Sequence, residues 1–481
     1  MNHPSSALLE RLASLLGPKG FTTDAGAMAP WLTDWRGRFH GRAAALLSPA
    51  SREDVAELVA LCAAEGVPLV PQGGNTSMVG GATPDETGDS LVLSLRRMNR
   101  IRALDGAANV AVCEAGVILA ELHDAARAAG RRFPLTLGAR GSATIGGLVS
   151  TNAGGTQVLR FGTMRSLVQG IEAVLPDGSV YEGLAPLKKD NRGYSLAHLL
   201  VGAEGTLGIV TAASLKLVPA IGARAVAWAG LATPVAAMKL LQHLETVVGD
   251  AIESFELVPA SSLDLVLEHI PRTQAPLARP QPWNALIEAV APMAVASPEK
   301  TLYEALRSAL ETGLVADAMI AASEAQAEAL WRLRDSISEA EKKDGPAAKH
   351  DISVPVADMP RFVVEAAREV EARHAGTRVN AFGHLGDGNI HFNVRAPVGV
   401  GDEWVDSEGH MVSALVHDLV TAAGGSISAE HGIGQMKLDE FARLAGPARL
   451  GALRAIKQAL DPKGIMNPGK LVPLAESARR P

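Results

Sequence analysis

Between Gly383 and Val394 the chain reads Gly-His-Leu-Gly-Asp-Gly-Asn-Ile-His-Phe-Asn-Val, which places His384, His391 and Asn393 around an Asp387-Gly388 pair. Asp-Gly flanked by strand-like residues favours a type I′ turn, because both central positions need positive φ. A two-residue loop there pairs Gly386 with Asn389, Leu385 with Ile390 and His384 with His391. Directly opposed residues share a face at roughly 5 Å between Cβ atoms, and Asn393 joins them by the two-residue period of a strand. Two neutral imidazoles so placed are a pair of metal ligands in need of an anionic third. Downstream, Ser428-Ala429-Glu430-His431-Gly432-Ile433-Gly434 supplies a carboxylate in Glu430 and a candidate base in His431. Any one of these histidines alone reads as a satisfied structural side chain; His384, His391 and Glu430 together read as a metal site. A divalent cation there lowers the pKa of a hydroxyl bound to it, and His431 is assigned the general-base role.

The elements that must carry these groups show in the periodicity. Residues 54–65 have helical period and stop at Gly66, with a strand over 67–70. Further strands are expected over 91–95, 109–114 and 209–218, a helix over 119–129, and a hairpin of 171–175 with 180–182 around Pro176-Asp177-Gly178-Ser179. After Pro219 glycines thin out and longer helical patterns appear, over 232–248 and 324–343. In the second of these, Arg334 and Ser338 stand four apart on one helical face. Lys349 opens a strand-like stretch.

Glycine clusters in three loops. The first runs Pro71-Gln72-Gly73-Gly74-Asn75-Thr76-Ser77-Met78-Val79-Gly80-Gly81. The second holds Gly138, Gly141, Ser142, Gly146, Gly147, Thr151, Asn152, Gly154 and Gly155, and the third Gly202, Glu204, Gly205 and Gly208 before Ile209. Runs of backbone N–H without side-chain obstruction are what a pyrophosphate needs. One such loop reads as a tight turn, whereas three in one domain point to a large dinucleotide. Neither G-x-x-x-x-G-K-[ST] nor a helix-opening G-x-G-x-x-G is present, which disfavours a P-loop NTPase and a Rossmann NAD enzyme.

Composition narrows the class. The chain has 481 residues, 47% hydrophobic and 20% charged, with 48 glycines and a net charge of -7. That length predicts two or three domains, and the charge gives no field favouring nucleic acid. The two cysteines, Cys62 and Cys113, sit in apolar contexts and read as buried reduced thiols. With no leader-like start and no apolar stretch of spanning length, the expectation is a cytoplasmic protein without an integral membrane segment.

Taken in order, the three glycine loops resemble the FAD-contacting loops of the vanillyl-alcohol-oxidase (PCMH-type FAD) superfamily. The similarity is to the branch of D-2-hydroxyglutarate dehydrogenases, D-lactate dehydrogenases and glycolate oxidase subunits, and runs from about Asp34 to Val472. The resemblance implies an α+β fold: a two-subdomain FAD-binding domain, an antiparallel-sheet substrate domain and a short C-terminal helical segment. Boundaries are placed at 1–36, 37–219, 220–440 and 441–481. FAD would be held by Pro71, Gly73, Gly74, Asn75, Thr76, Ser77, Gly80, Gly138, Ser142, Gly146, Gly147, Thr151, Asn152, Gly154, Glu204, Gly205, Gly208 and Ile209. The Asp461–Lys470 segment would bring Asn467 back to the flavin. Some members attach FAD through a histidine of the first loop; none stands here, so FAD is expected to be non-covalent. By the same resemblance Zn2+ is the expected metal, and Arg334, Ser338 and Lys349 match positions that bind substrate carboxylates; the family often has Thr where Ser338 stands.

A monocarboxylate needs one cation besides the metal, and a dicarboxylate needs a distal second, because an unpaired buried carboxylate is costly. Lys349 supplies it, so D-2-hydroxyglutarate is the expected substrate and D-malate the next. D-lactate or glycolate oxidation is the alternative, and a metal-dependent hydrolase on His384, His391 and Glu430 would leave the glycine loops unexplained. No Fe–S cysteine pattern occurs, so electrons are expected to leave to an electron-transfer flavoprotein or quinone; the resemblance suggests a homodimer.

Overall fold

A computed structural model of the chain describes residues 2–292 and 297–473. It separates into two compact units, one of residues 1–155, 161–219 and 430–481, the other of 156–160 and 220–429. Residues 430–440, which the sequence assigns to the substrate domain, pack in the first unit.

The first unit opens with helix α1 (Ser6–Leu16), which buries Leu8, Leu12 and Leu16. Strands β1 (Phe21–Thr22), β2 (Ala45–Leu47), β3 (Leu69–Gln72) and β4 (Leu91–Ser94) form a sheet in the order β1-β2-β4-β3, parallel across β2, β4 and β3. Helix α2 (Arg52–Glu65) links β2 to β3. Ser51 and Asp54 form its capping box, and Gly66 ends it at φ 70°, a left-handed position that glycine adopts without Cβ strain. β3 starts two residues later than periodicity suggests; its first residue, Leu69, bonds Ile465 and Asn467 of the C-terminal segment, so tertiary pairing decides where the strand begins.

A second sheet in this unit comprises β5 (Ile101–Asp105), β6 (Val110–Glu114), β7 (Val168–Val174), β8 (Val180–Gly183) and β9 (Ile209–Lys216), in the order β5-β6-β9-β7-β8. Helices α3 (Leu119–Ala128) and α4 (Ile145–Thr151) share its core. Cys62 and Cys113 are fully buried, and burial pushes both thiols up to about 12. They are inert packing residues.

The second unit is built on a seven-stranded antiparallel sheet. Its strands are β10 (Ala223–Leu231), β11 (Ile252–Pro259), β12 (Trp283–Ala291), β13 (Asp317–Ile320), β14 (Ala347–Ser353), β15 (Arg378–His384) and β16 (Asn389–Arg395), in the order β13-β10-β12-β11-β15-β16-β14. One face packs on helices α5 (Pro234–Val248), α7 (Pro298–Glu311), α10 (Met359–Arg373) and α11 (Glu408–Ala422). The other meets α6 (Ala260–His269), α8 (Glu324–Asp335) and α9 (Ile337–Lys343) through Trp228, Val258, Leu286 and Phe382. The continuous helix expected over 324–343 is two helices, broken at Ser336, which ends α8 and precedes α9. Past the break Ile337 and Ala340 enter the same core as Leu330 and Leu333.

Candidate functional site

In the first unit the glycine loops wall a cavity of about 660 Å³, within the usual range for a cofactor site. Pro71, Gly73, Gly74, Asn75, Thr76, Ser77, Gly138, Ser142, Gly146, Gly147, Thr151, Gly154, Glu204, Gly205, Gly208 and Ile209 line it, as do Glu430 and His431. Glycine is required at close approaches: a Cβ on Gly74 would collide with the carbonyl oxygen of Ser142, and one on Gly73 with Thr144 Oγ1. The Asn75 amide ties the first loop down by donating to the carbonyl of Thr33 at 2.8 Å.

Gly80, Asn152 and Asn467, also expected at the cofactor, do not line the cavity. Asn152 Oδ1 accepts from Thr163 Oγ1 and from the N–H of Arg165, both at 2.9 Å, so its side chain caps a turn. Gly80, at φ 67°, lies under Gln435 and Phe39. Asn467 donates to the carbonyls of Gly81 (2.9 Å) and Glu204 (2.7 Å), joining segments that bear the first and third loops.

Glu204 is buried in this unit. Its carboxylate accepts the N–H groups of Ile433 and Gly434, each at 2.7 Å, just past His431. A Cβ on Gly432 would approach Glu204 Oε1 to 2.6 Å, so glycine lets the strand of backbone pass. Burial raises the Glu204 pKa, opposed by those two N–H groups and by Lys437 and Lys470. The residues fit a large polar cofactor: Gln72 Oε1 and Thr144 Oγ1, of two residues that line the cavity, are buried without a hydrogen-bond partner among the described residues. Such orphans are rare in a complete site.

In the second unit the hairpin differs in register from its expected form. His384 pairs with Asn389 and Phe382 with His391, leaving Leu385–Gly388 as the loop. Leu385 leaves the hairpin pairing to bury its side chain and to donate its N–H to Phe255 of β11, an interaction that turn chemistry does not foresee. The register moves by an even step, so the face is kept: His384 and His391 are diagonal neighbours with ring centroids 5.8 Å apart.

Three cross-strand rows share this face. One is Glu256, His384, Asn389 and Ser353; the next Phe382, His391 and Asp351; the last Asn380, Asn393 and Lys349. Arg334 comes from α8 with its guanidinium over the Phe382 ring, 5.2 Å from the centroid. Its Nε donates to Glu256 Oε2 at 2.8 Å, and Glu256 Oε1 lies 2.6 Å from His384 Nδ1. Burial would raise the Glu256 pKa, but His384 and Arg334 outweigh it and hold the carboxyl well below its ordinary range. Lys349 Nζ is 3.4 Å from Glu341 Oε2, and Glu341 also accepts from Asn393 (2.8 Å) and Asn380 (2.7 Å). Ser338 is exposed on α9.

Glu256, Glu341 and Asp351 are the acidic residues at this face that motif reading passes over. For Glu256 and Asp351 the one sequence signal is a carboxylate in a strand-like stretch, as in Ile-Glu-Ser-Phe-Glu-Leu-Val-Pro; Glu341, in the charged helix segment Ile-Ser-Glu-Ala-Glu-Lys-Lys, gives none. Buried charges of that kind must be paired.

Residues 222–471 match the family of FAD linked oxidases, C-terminal domain, and residues 43–183 match an FAD binding domain. A mitochondrial D-2-hydroxyglutarate dehydrogenase of Arabidopsis thaliana is 37% identical over 95% of this chain and 80% of its own length. That of Bos taurus is 36% identical, covering 97% and 83% respectively. The D-2-hydroxyglutarate dehydrogenase of Xanthomonas citri pv. viticola is 35% identical over 91% of each chain. Among solved structures, p-cresol methylhydroxylase superposes with a TM-score of 0.76 at 16% identity over 97% of this chain and 96% of its own. Alkyldihydroxyacetonephosphate synthase gives 0.73 at 18% over 98% and 87%. These two report the fold. The expected cytoplasmic location is corrected, because relatives from plant and animal are named mitochondrial. Buried reduced thiols are as compatible with a reducing organelle as with the cytoplasm, so composition had no power to separate them. With one family spanning more than half the chain and relatives matched nearly end to end, the chain belongs to the FAD-linked oxidases and is an FAD-dependent oxidoreductase.

Proposed function

We propose that this protein oxidises a D-2-hydroxy acid to the 2-oxo acid, with D-2-hydroxyglutarate as first substrate and D-malate as second. The observation that carries the reading is the polar face of the second unit, where Arg334 and Lys349 accompany His384, His391 and Asn393. Two cations suit two carboxylates. D-2-hydroxyglutarate is also the substrate in the names of relatives from plant, animal and bacterium.

FAD, when bound, supplies the acceptor for the hydride leaving C2. Its attachment is non-covalent in this reading, since residues 71–81 contain neither His nor Cys. His384 and His391 would hold a divalent cation, Zn2+ by preference, with Glu430 as the anionic ligand. Such an ion would stabilise the substrate alkoxide. Arg334 and Lys349 bind and orient the carboxylates, with the Ser338 hydroxyl and the Asn393 amide as further donors. His431, on the wall of the cofactor cavity, takes the hydroxyl proton at an imidazole nitrogen. Electrons then pass to an external electron-transfer flavoprotein or quinone.

D-Lactate oxidation is the second reading. It is favoured by the Glu341 contact, which already neutralises part of the Lys349 charge. Anaerobic mixing of the holoenzyme with D-2-hydroxyglutarate, D-malate, D-lactate and glycolate decides between them. Fast loss of flavin absorbance with the dicarboxylates alone supports the proposal; loss with D-lactate alone rejects it.

A further inference from the structure

We infer that Glu256 is a positioning residue that selects which nitrogen His384 presents to the polar face and anchors Arg334 to the same point. The inference rests on the metal reading proposed for His384 and His391. Glu256 stands on β11 directly opposite His384 on β15 and has no exposed surface. Each carboxylate oxygen has its own partner, Oε1 meeting His384 Nδ1 at 2.6 Å and Oε2 meeting Arg334 Nε at 2.8 Å. On the other side of Glu256 its cross-strand neighbour is Leu286, so the residue marks where the apolar half of the face gives way to the polar half.

An ionised carboxylate only accepts hydrogen bonds, so the Nδ1 facing Glu256 must carry a proton. The other nitrogen, Nε2, is then the one left with a lone pair, the state a metal ligand needs. A base role for Glu256 itself is excluded by burial and by the engagement of both oxygens. Stability alone does not account for the arrangement, because a buried carboxylate paired with a guanidinium contributes little net relative to an apolar replacement. Glu256 also takes Nε of Arg334, and no other hydrogen bond of that guanidinium is seen among the described residues. One carboxylate therefore sets the orientation of two groups assigned to different tasks.

The test is zinc affinity of the FAD-replete protein, read by competition of Zn2+ with a chromophoric chelator, alongside flavin content and melting temperature. Glu256→Gln keeps the shape, but its single carbonyl oxygen serves one donor and its NH2 confronts the other. Zinc affinity is expected to fall about 10–100-fold while flavin content stays unchanged. Glu256→Asp keeps the charge and withdraws it by one methylene; it covers the case in which the glutamine variant does not fold, and a smaller fall is expected. A wild-type protein that holds Zn2+ together with a folded variant of unchanged affinity overturns the inference alone. A wild-type protein that releases Zn2+ to the chelator overturns the metal reading, and the inference with it.

Discussion

Lys349 Nζ lies 3.4 Å from Oε2 of Glu341, a carboxylate with no exposed side-chain surface. A lysine expected to wait for a substrate carboxylate therefore already has a counterion, and substitutions at 349 act on two partners. Lys349→Ala leaves Glu341 with its two amide donors only, Asn380 and Asn393. We expect a stability loss of about 1–3 kcal/mol, visible as a lower melting temperature. The substrate effect is read cleanly in Lys349→Ala/Glu341→Gln against Glu341→Gln. There kcat/KM for D-2-hydroxyglutarate should fall at least about 30-fold, the lower end for removing one partner of a charge pair. The value for D-lactate should hold. Equal losses for both acids would remove Lys349 from dicarboxylate selection.

His431 carries the proton in the proposed reaction. His431→Asn should slow flavin reduction about 10²–10⁴-fold in anaerobic stopped flow, with flavin content and cavity absorbance unchanged. A variant that reduces flavin at the wild-type rate would assign the base elsewhere.

Gly74→Ala tests the cavity. The added Cβ meets the backbone carbonyl of Ser142, which a flexible side chain cannot relieve. The variant should purify with a reduced flavin-to-protein ratio, and added FAD should not restore it. Gly451→Ala is the control, since nothing lies within 4 Å of a Cβ there and the residue is not on the cavity wall.

Glu204→Ala removes the acceptor of two backbone N–H groups next to His431. Each stranded donor costs about 1–3 kcal/mol, so differential scanning should show a lower transition in the FAD-binding unit. A melting temperature equal to wild type would mean that the 430–434 segment is held by other contacts.

Lys470 gives a pH dependence. Burial pushes its pKa down to about 8, against the attraction of Asp85 and Glu204. A lysine with a depressed folded pKa binds fewer protons folded than unfolded, so stability rises as pH climbs through about 8 toward the unfolded value of about 10.4. Lys470→Met should flatten that rise in chemical denaturation at pH 7, 8.5 and 10. A rise of the same slope in the variant would place its origin in another group.

Much of this was readable from residue order. Glycine loops need no partner to be recognised, because missing side chains and left-handed positions are properties of the residues themselves; most of the loop residues named from the family resemblance line the cavity, while Gly80 and Asn152 do not. The same holds for helix α2, whose Ser51–Asp54 box and Gly66 stop are local chemistry. Asp387-Gly388 marked the hairpin correctly and its register wrongly. The turn sets a local preference, whereas Leu385 answers to the core and to Phe255 on another strand. His384 and His391 still met, since an even shift preserves the face of every side chain. What residue order withheld was the set of buried counterions. Glu256 lies far from His384 and Arg334 along the chain, and nothing local distinguishes a glutamate that solvent will screen from one that a sheet will bury between an imidazole and a guanidinium. The candidate site residue types and their loops are thus local properties of the chain. The pairing that orients them was decided by tertiary structure, because burial and charge compensation exist only once distant strands are brought side by side.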